Sequence, residues 1–66
     1  MLDAKALRAE IARNGMTQGQ VAERIGMTAS TFSRKIKTNG FGMDETDDLI
    51  DLLGIQNPGA IFFPGK

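Results

Sequence analysis

"TQGQVAERIGMTASTFSRKIK", residues 17 to 37, decides how this chain folds. Thr17 and Gln20 stand in the T-x-x-Q spacing of a capping box, in which a hydroxyl and an amide side chain satisfy each other's free backbone N–H groups. Val21, Ala22 and Ile25 follow at helical spacing, so a short helix begins here with one apolar face. Gly26 stops it, because glycine takes the positive φ that a tight turn demands. Thr28 is the next N-cap and opens a helix of about ten residues to Lys37, where Asn39-Gly40 gives a second stop. Two short helices separated only by Gly26, Met27 and Thr28 have the signature of a helix-turn-helix. Ala22 belongs where the helices cross, Met27 plugs the corner, and Phe32 and Ile36 anchor the second helix from below.

Periodicity extends this pattern in both directions. Ala4, Leu7 and Ile11 form the stripe of an amphipathic helix over residues 3 to 13, which the left-handed-permissive pair Asn14-Gly15 ends. Downstream, Asp44 is expected to cap a fourth helix, with Glu45, Asp47 and Asp48 near its N-terminal dipole and Leu49, Ile50, Leu52 and Leu53 on its apolar face. Gly54 ends that helix. Residues 55–66 read as a short apolar tail with a turn or helix at Pro58 and then an extended end. No segment alternates with a strand period. The expected class is all-α: one domain over residues 1–66, a compact bundle of four to five helices. Its expected core is Leu7, Ile11, Val21, Ala22, Ile25, Phe32, Ile36, Leu49 and Leu53, with Met1, Leu2, Met16 and Met43 filling gaps.

Composition narrows the functional classes. The 66 residues include no cysteine and no histidine, so disulfides, thiolate zinc sites and the usual general base are missing. No apolar run approaches a membrane span and no signal peptide is visible at the start, so a cytoplasmic location is expected. Eight basic residues balance eight acidic ones, yet they are unevenly placed. Residues 1 to 37 carry seven cations against three acids, a balance of +4, while residues 38 to 66 carry five acids against Lys66, a balance of −4. One side of the molecule therefore seeks anions.

The second helix of the motif sharpens that hint. On a helical wheel Ala29, Phe32 and Ile36 share one side, whereas Ser30, Ser33, Arg34 and Lys37 form a contiguous arc roughly opposite. Residues 24 to 37 hold four cations and no acid. Short hydroxyls allow close approach to a surface, and an arginine can grip a guanine edge with two hydrogen bonds.

At this point the chain resembles a family. Residues 17 to 37 are similar to the helix-turn-helix of the Cro/repressor-type superfamily. The ending "DLIDLLGI" followed by "IFF" resembles the short regulators of temperate phages from Gram-positive hosts. That resemblance implies a lambda-repressor-like DNA-binding domain, with Thr17 and Gln18 opening the first helix of the motif and Gln18 on a phosphate. It places Thr28, Ala29, Ser30, Ser33 and Arg34 at the start of the recognition helix, facing bases, and Lys37 and Asn39 on the backbone beyond. The partner implied is a double-stranded DNA operator, bound by a possible homodimer in a phage genetic switch. A second class stays open: a modulator or antirepressor that turns the same surface on a partner repressor.

Other features weigh less. The acids Asp44, Glu45, Asp47, Asp48 and Asp51 lack the glycine and spacing of a calcium loop; Asp44, Asp47 and Asp48 are candidates for a protein interface instead. Gly40-Phe41-Gly42 lacks the lysine of a phosphate loop and reads as a connection. No nucleophile-and-base arrangement is present, so no enzyme activity, metal, cofactor, small-molecule substrate or membrane is expected. Of Ile61, Phe62 and Phe63, Ile61 and one phenylalanine should seal the core, leaving the other for a partner.

Overall fold

The structure, a computed structural model, describes residues 2–38 and 40–63. Among them the chain forms five helices and no strand: α1 (Ala4–Arg13), α2 (Gln18–Arg24), α3 (Ala29–Thr38), α4 (Met43–Leu53) and α5 (Pro58–Phe62). The expectations for Met1, Asn39 and the extended end at 64–66 fall outside the described residues. The helices pack into a body of 30 × 22 × 20 Å, consistent with a small helical bundle.

Local chemistry explains most of the boundaries. The Asp3 carboxylate accepts from the Ala6 amide at 3.0 Å and starts α1. Its own backbone N–H donates to the Ile61 carbonyl at 2.7 Å, tying the start of the chain to α5. At α2 both halves of the capping box are made: Gln20 N–H donates to Thr17 Oγ1 at 3.1 Å, and Thr17 N–H to Gln20 Oε1 at 2.8 Å. Gly26 turns the chain with φ +83°, which a side chain would strain. Thr28 then caps α3, its Oγ1 accepting from the Thr31 amide at 3.2 Å.

Two starts and stops differ from expectation. Asp44 does not cap α4. The helix begins two residues earlier, with Gly42 as N-cap, and Asp44 sits in the first turn, where it acts on the dipole. Glu45 supplies the missing cap from within, Oε1 accepting from the Gly42 amide at 3.0 Å. At the end of α1 only Gly15 is left-handed, with φ +69°. Asn14 keeps φ −85° and spends its side chain differently, Nδ2 donating to the Glu10 and Leu53 carbonyls at 2.8 and 2.9 Å.

The core lies where the helix stripes meet. Leu7, Val21, Ala22, Phe32, Leu49 and Leu53 are fully buried, with Ile11 and Ile36 nearly so. Burying each large member contributes roughly 1.5–3 kcal/mol against the entropy of ordering the chain. Leu2, Ile55, Ile61 and Phe62 close the open end. Ile25, the C-cap of α2, stays at the rim, partly buried against the core. Met43 is a clear correction: it stands 85% exposed and fills no gap. Leu49 and Leu53 direct the inner face of α4, and position 43 falls on the flank beyond Ile50.

Candidate nucleic-acid interface on α2 and α3

Residues 25–28 join α2 to α3, and these two helices pack against each other more closely than any other pair. Ala22 has no accessible surface, and its carbonyl accepts from the Met27 amide at 2.9 Å across the turn. The starts of the two helices lie side by side as well. A methyl group added at Gly19 would reach the Ala29 methyl at 4.0 Å and Thr17 Oγ1 at 3.9 Å. The structure thus brings Thr17 and Ala29 to one surface, with Gln18, partly buried, beside them.

The face of α3 that the wheel anticipates is open. Ser30, Arg34 and Lys37 are exposed, and Ser33 is partly buried at the edge of the arc. Phe32 and Ile36 hold the opposite side in the core, and the Phe32 ring lies 5.4 Å from that of Phe41, tilted by 59°. That contact fixes α3 from below and leaves its outer face to solvent. Thr38 Oγ1 donates back to the Arg34 carbonyl at 3.0 Å, which shields the last turn. The hydroxyls of Thr17 and Thr28 already serve as caps, so both hold the helices in place before they hold any ligand.

One of the four cations faces elsewhere. Lys35 Nζ donates to both carboxylate oxygens of Glu45, at 2.8 and 2.7 Å, linking the last turn of α3 to the first turn of α4. The Lys35 ammonium hydrogen-bonding to Glu45, with the Gly42 amide behind it, holds the carboxyl below its ordinary value, against an opposing push from burial. Sequence reasoning missed this pair. Its signal was a cation in one last turn and a carboxylate in the next first turn, across a short link.

The residues assigned to a protein interface divide. Asp44, Asp47 and Asp48 are exposed on α4. Phe63 is 58% exposed, whereas Phe62 is buried at 3% and leaves no surface for a partner. This matches the expected division of Ile61 and one phenylalanine inward and the other outward. Among the described residues no three acids converge on a point that could hold a metal ion, and no helix is long and apolar enough to cross a membrane. No family model, curated protein or solved structure matches the chain.

Proposed function

We propose that the protein is a DNA-binding transcriptional regulator, a Cro-like component of a phage switch, in which α2 and α3 act as a helix-turn-helix. The observation that carries this reading is the outer face of α3: Ser30, Arg34 and Lys37 exposed together, with no carboxylate on the helix. An outer face without function is ordinarily filled with long residues of both charges. Short hydroxyls beside an arginine suit a helix that must approach base edges closely. Arg34 takes a guanine with two hydrogen bonds, the Ala29 methyl and Ser30 hydroxyl make shorter contacts, and Lys37 meets a phosphate. Repression is steric, since a protein seated in the major groove excludes polymerase. A module this small gains affinity by pairing on a two-fold site whose halves lie about 34–36 Å apart. The test is a gel shift on the native promoter region. The reading expects a specific complex with the protein alone, weakening steeply with salt as counterions are released. Equal binding to any sequence would defeat it.

A second reading draws on a different observation, the exposed carboxylates Asp44, Asp47 and Asp48 on a chain of zero net charge. As a modulator, the protein would bind a repressor's DNA-reading helix with these acids standing in for phosphates. The same gel shift separates the two readings when run with the neighbouring repressor present. A modulator shifts no DNA alone and abolishes the repressor's complex.

A further inference from the structure

Away from the α3 face, a groove of about 440 Å³ runs between α4 and α5. Met43, Asp47 and Ile50 form one wall, Pro58 and Phe63 the other, and Phe41 lies at one end. Among the described residues Met43 and Phe63 are the two large apolar side chains left exposed, at 85% and 58%, and both border this groove. Beside the apolar wall runs a second stripe. Asp44, Asp47 and Asp51 recur at i, i+3 and i+7 on α4, all exposed.

Stability does not account for that stripe. Carboxylates help a helix in its first turn and oppose its dipole in its last. Asp44 fits the favourable place, but Asp51 lies in the last turn of α4, which carries no cation of its own. Arg13 of α1 has to supply one, its Nη2 donating to the Leu53 carbonyl at 2.9 Å. Asp47 lines the groove itself, and Asp44 and Asp51 continue its charge along the outer side of α4.

We infer that this groove docks a cationic amphipathic helix of a partner protein, its apolar side chains between Met43 and Phe63 and its Lys or Arg residues on Asp44, Asp47 and Asp51. Charge selects this occupant over a second copy of the chain. Two copies joined across the groove would bring Asp47 and its neighbours against their own kind, whereas a cationic helix pairs with them. Area agrees. A stable dimer covers about 800 Å² per partner, roughly a fifth of the 4238 Å² that this chain exposes, and two exposed side chains fall short of that. The wall from Met43 to Ile50 covers about 10 Å of helix axis, enough for two apolar anchors one or two turns apart. With no strand among the described residues there is no sheet edge to extend, so docking runs through side chains, as when a helix lies in a groove. None of Ser30, Arg34 and Lys37 borders the groove, so the inference does not rest on the DNA reading.

The probe is a fluorescein-labelled Leu/Lys peptide of about 14 residues, leucines at helical spacing, beside a Leu/Glu counterpart. Anisotropy should show saturable one-to-one binding of the Lys peptide alone. With labelled methionine methyl groups, the Met43 signal should move while those of Met16 and Met27 stay. Phe63→Ser and Met43→Ser should each weaken binding about tenfold. Both positions are exposed, so melting curves should remain those of the parent. Asp47→Asn should weaken binding and flatten its salt dependence, whereas Asp48→Asn, on the far flank, should leave it unchanged. The inference is overturned if neither peptide binds, if the Glu peptide binds equally, or if both serine variants bind as the parent does. It is also overturned if the protein sediments as a dimer that Phe63→Ser dissociates, or if neutral phosphatidylcholine vesicles capture it through Phe63. Operator binding by Phe63→Ser should equal the parent's in every case, so the two readings fail separately.

Discussion

Helices α3 and α4 solve the same packing problem and present opposite faces. They are ten and eleven residues long, and each buries two apolar residues one turn apart, Phe32 with Ile36 and Leu49 with Leu53. Yet α3 holds no acid and α4 no base. Part of this contrast belongs to the helices themselves. Lys35 and Lys37 lie in the last turn of α3, and Asp44 and Glu45 in the first turn of α4, where each sign complements the local dipole. Arg34, Asp47, Asp48 and Asp51 stand outside those turns. The comparison therefore separates charge that holds a helix from charge that is free to hold something else.

If the buried faces are equivalent, emptying either should unfold the protein. Phe32→Ala and Leu49→Ala remove fully buried side chains and should destabilise by roughly 3–5 and 2–5 kcal/mol, comparable with the whole stability of a domain this small. Thermal melts followed by far-ultraviolet circular dichroism read both. A Leu49→Ala variant that melted with the parent would break the symmetry and leave α4 an appendage.

The outer faces should respond in opposite senses. Asp47→Lys with Asp48→Lys adds positive charge to α4. A DNA-binding protein should keep or gain operator affinity, while a modulator seated on a basic partner should lose several kcal/mol to repulsion. Titrating one purified variant against operator and against repressor decides which face works. Full retention of both affinities would remove α4 from either mechanism.

How far the chain could be read follows the range of the interactions. Thr17 with Gln20, Gly26 and Gly54 mark helix ends through contacts within a few residues, so their meaning is local and visible. The burial of Phe32, Ile36, Leu49 and Leu53 follows from helical spacing. Arg13 and Asn14 holding the Leu53 carbonyl, some 40 positions away, obey no spacing rule and were illegible. The exposure of Met43, by contrast, follows from helical spacing, since position 43 lies well round the helix from Leu49 and Leu53. Within the α3 site, the exposed arc was legible from the wheel. The withdrawal of Lys35 from it depends on where α4 begins, two residues earlier than an Asp44 cap implies.

Within α3 the comparison narrows to single residues. Arg34→Ala should cost about 1–3 kcal/mol of specific binding and relax the preference at one base pair, as loss of a two-bonded base contact does. Lys37→Ala should weaken all sequences about equally and lower the salt slope by roughly one. Competition assays across a set of operator variants at several salt concentrations distinguish them. Identical profiles would mean that both residues touch only the backbone.

The smallest effect concerns the link between the two helices. Lys35 and Glu45 form a partly buried pair, with side chains 26% and 28% accessible, so its contribution should lie within about 1 kcal/mol. Its pH dependence has a definite sign. The carboxyl of Glu45 is held below its ordinary value of 4.5, chiefly by the Lys35 ammonium, so the folded chain binds its proton more weakly than the unfolded chain does. The stabilisation is then fully present above the unfolded value and is lost as pH falls through the lower folded one. Glu45→Gln keeps an oxygen for the Gly42 amide but cannot take this charge. The gap in melting temperature between parent and variant should therefore be constant from neutral pH down to about 5 and close below about 4.5. Added salt should narrow it only in part, because partial burial limits screening. A gap that widened on acidification would mean that the lysine pair is not what depresses Glu45, and that α3 and α4 are held together by the core they share through Phe32, Ile36, Leu49 and Leu53.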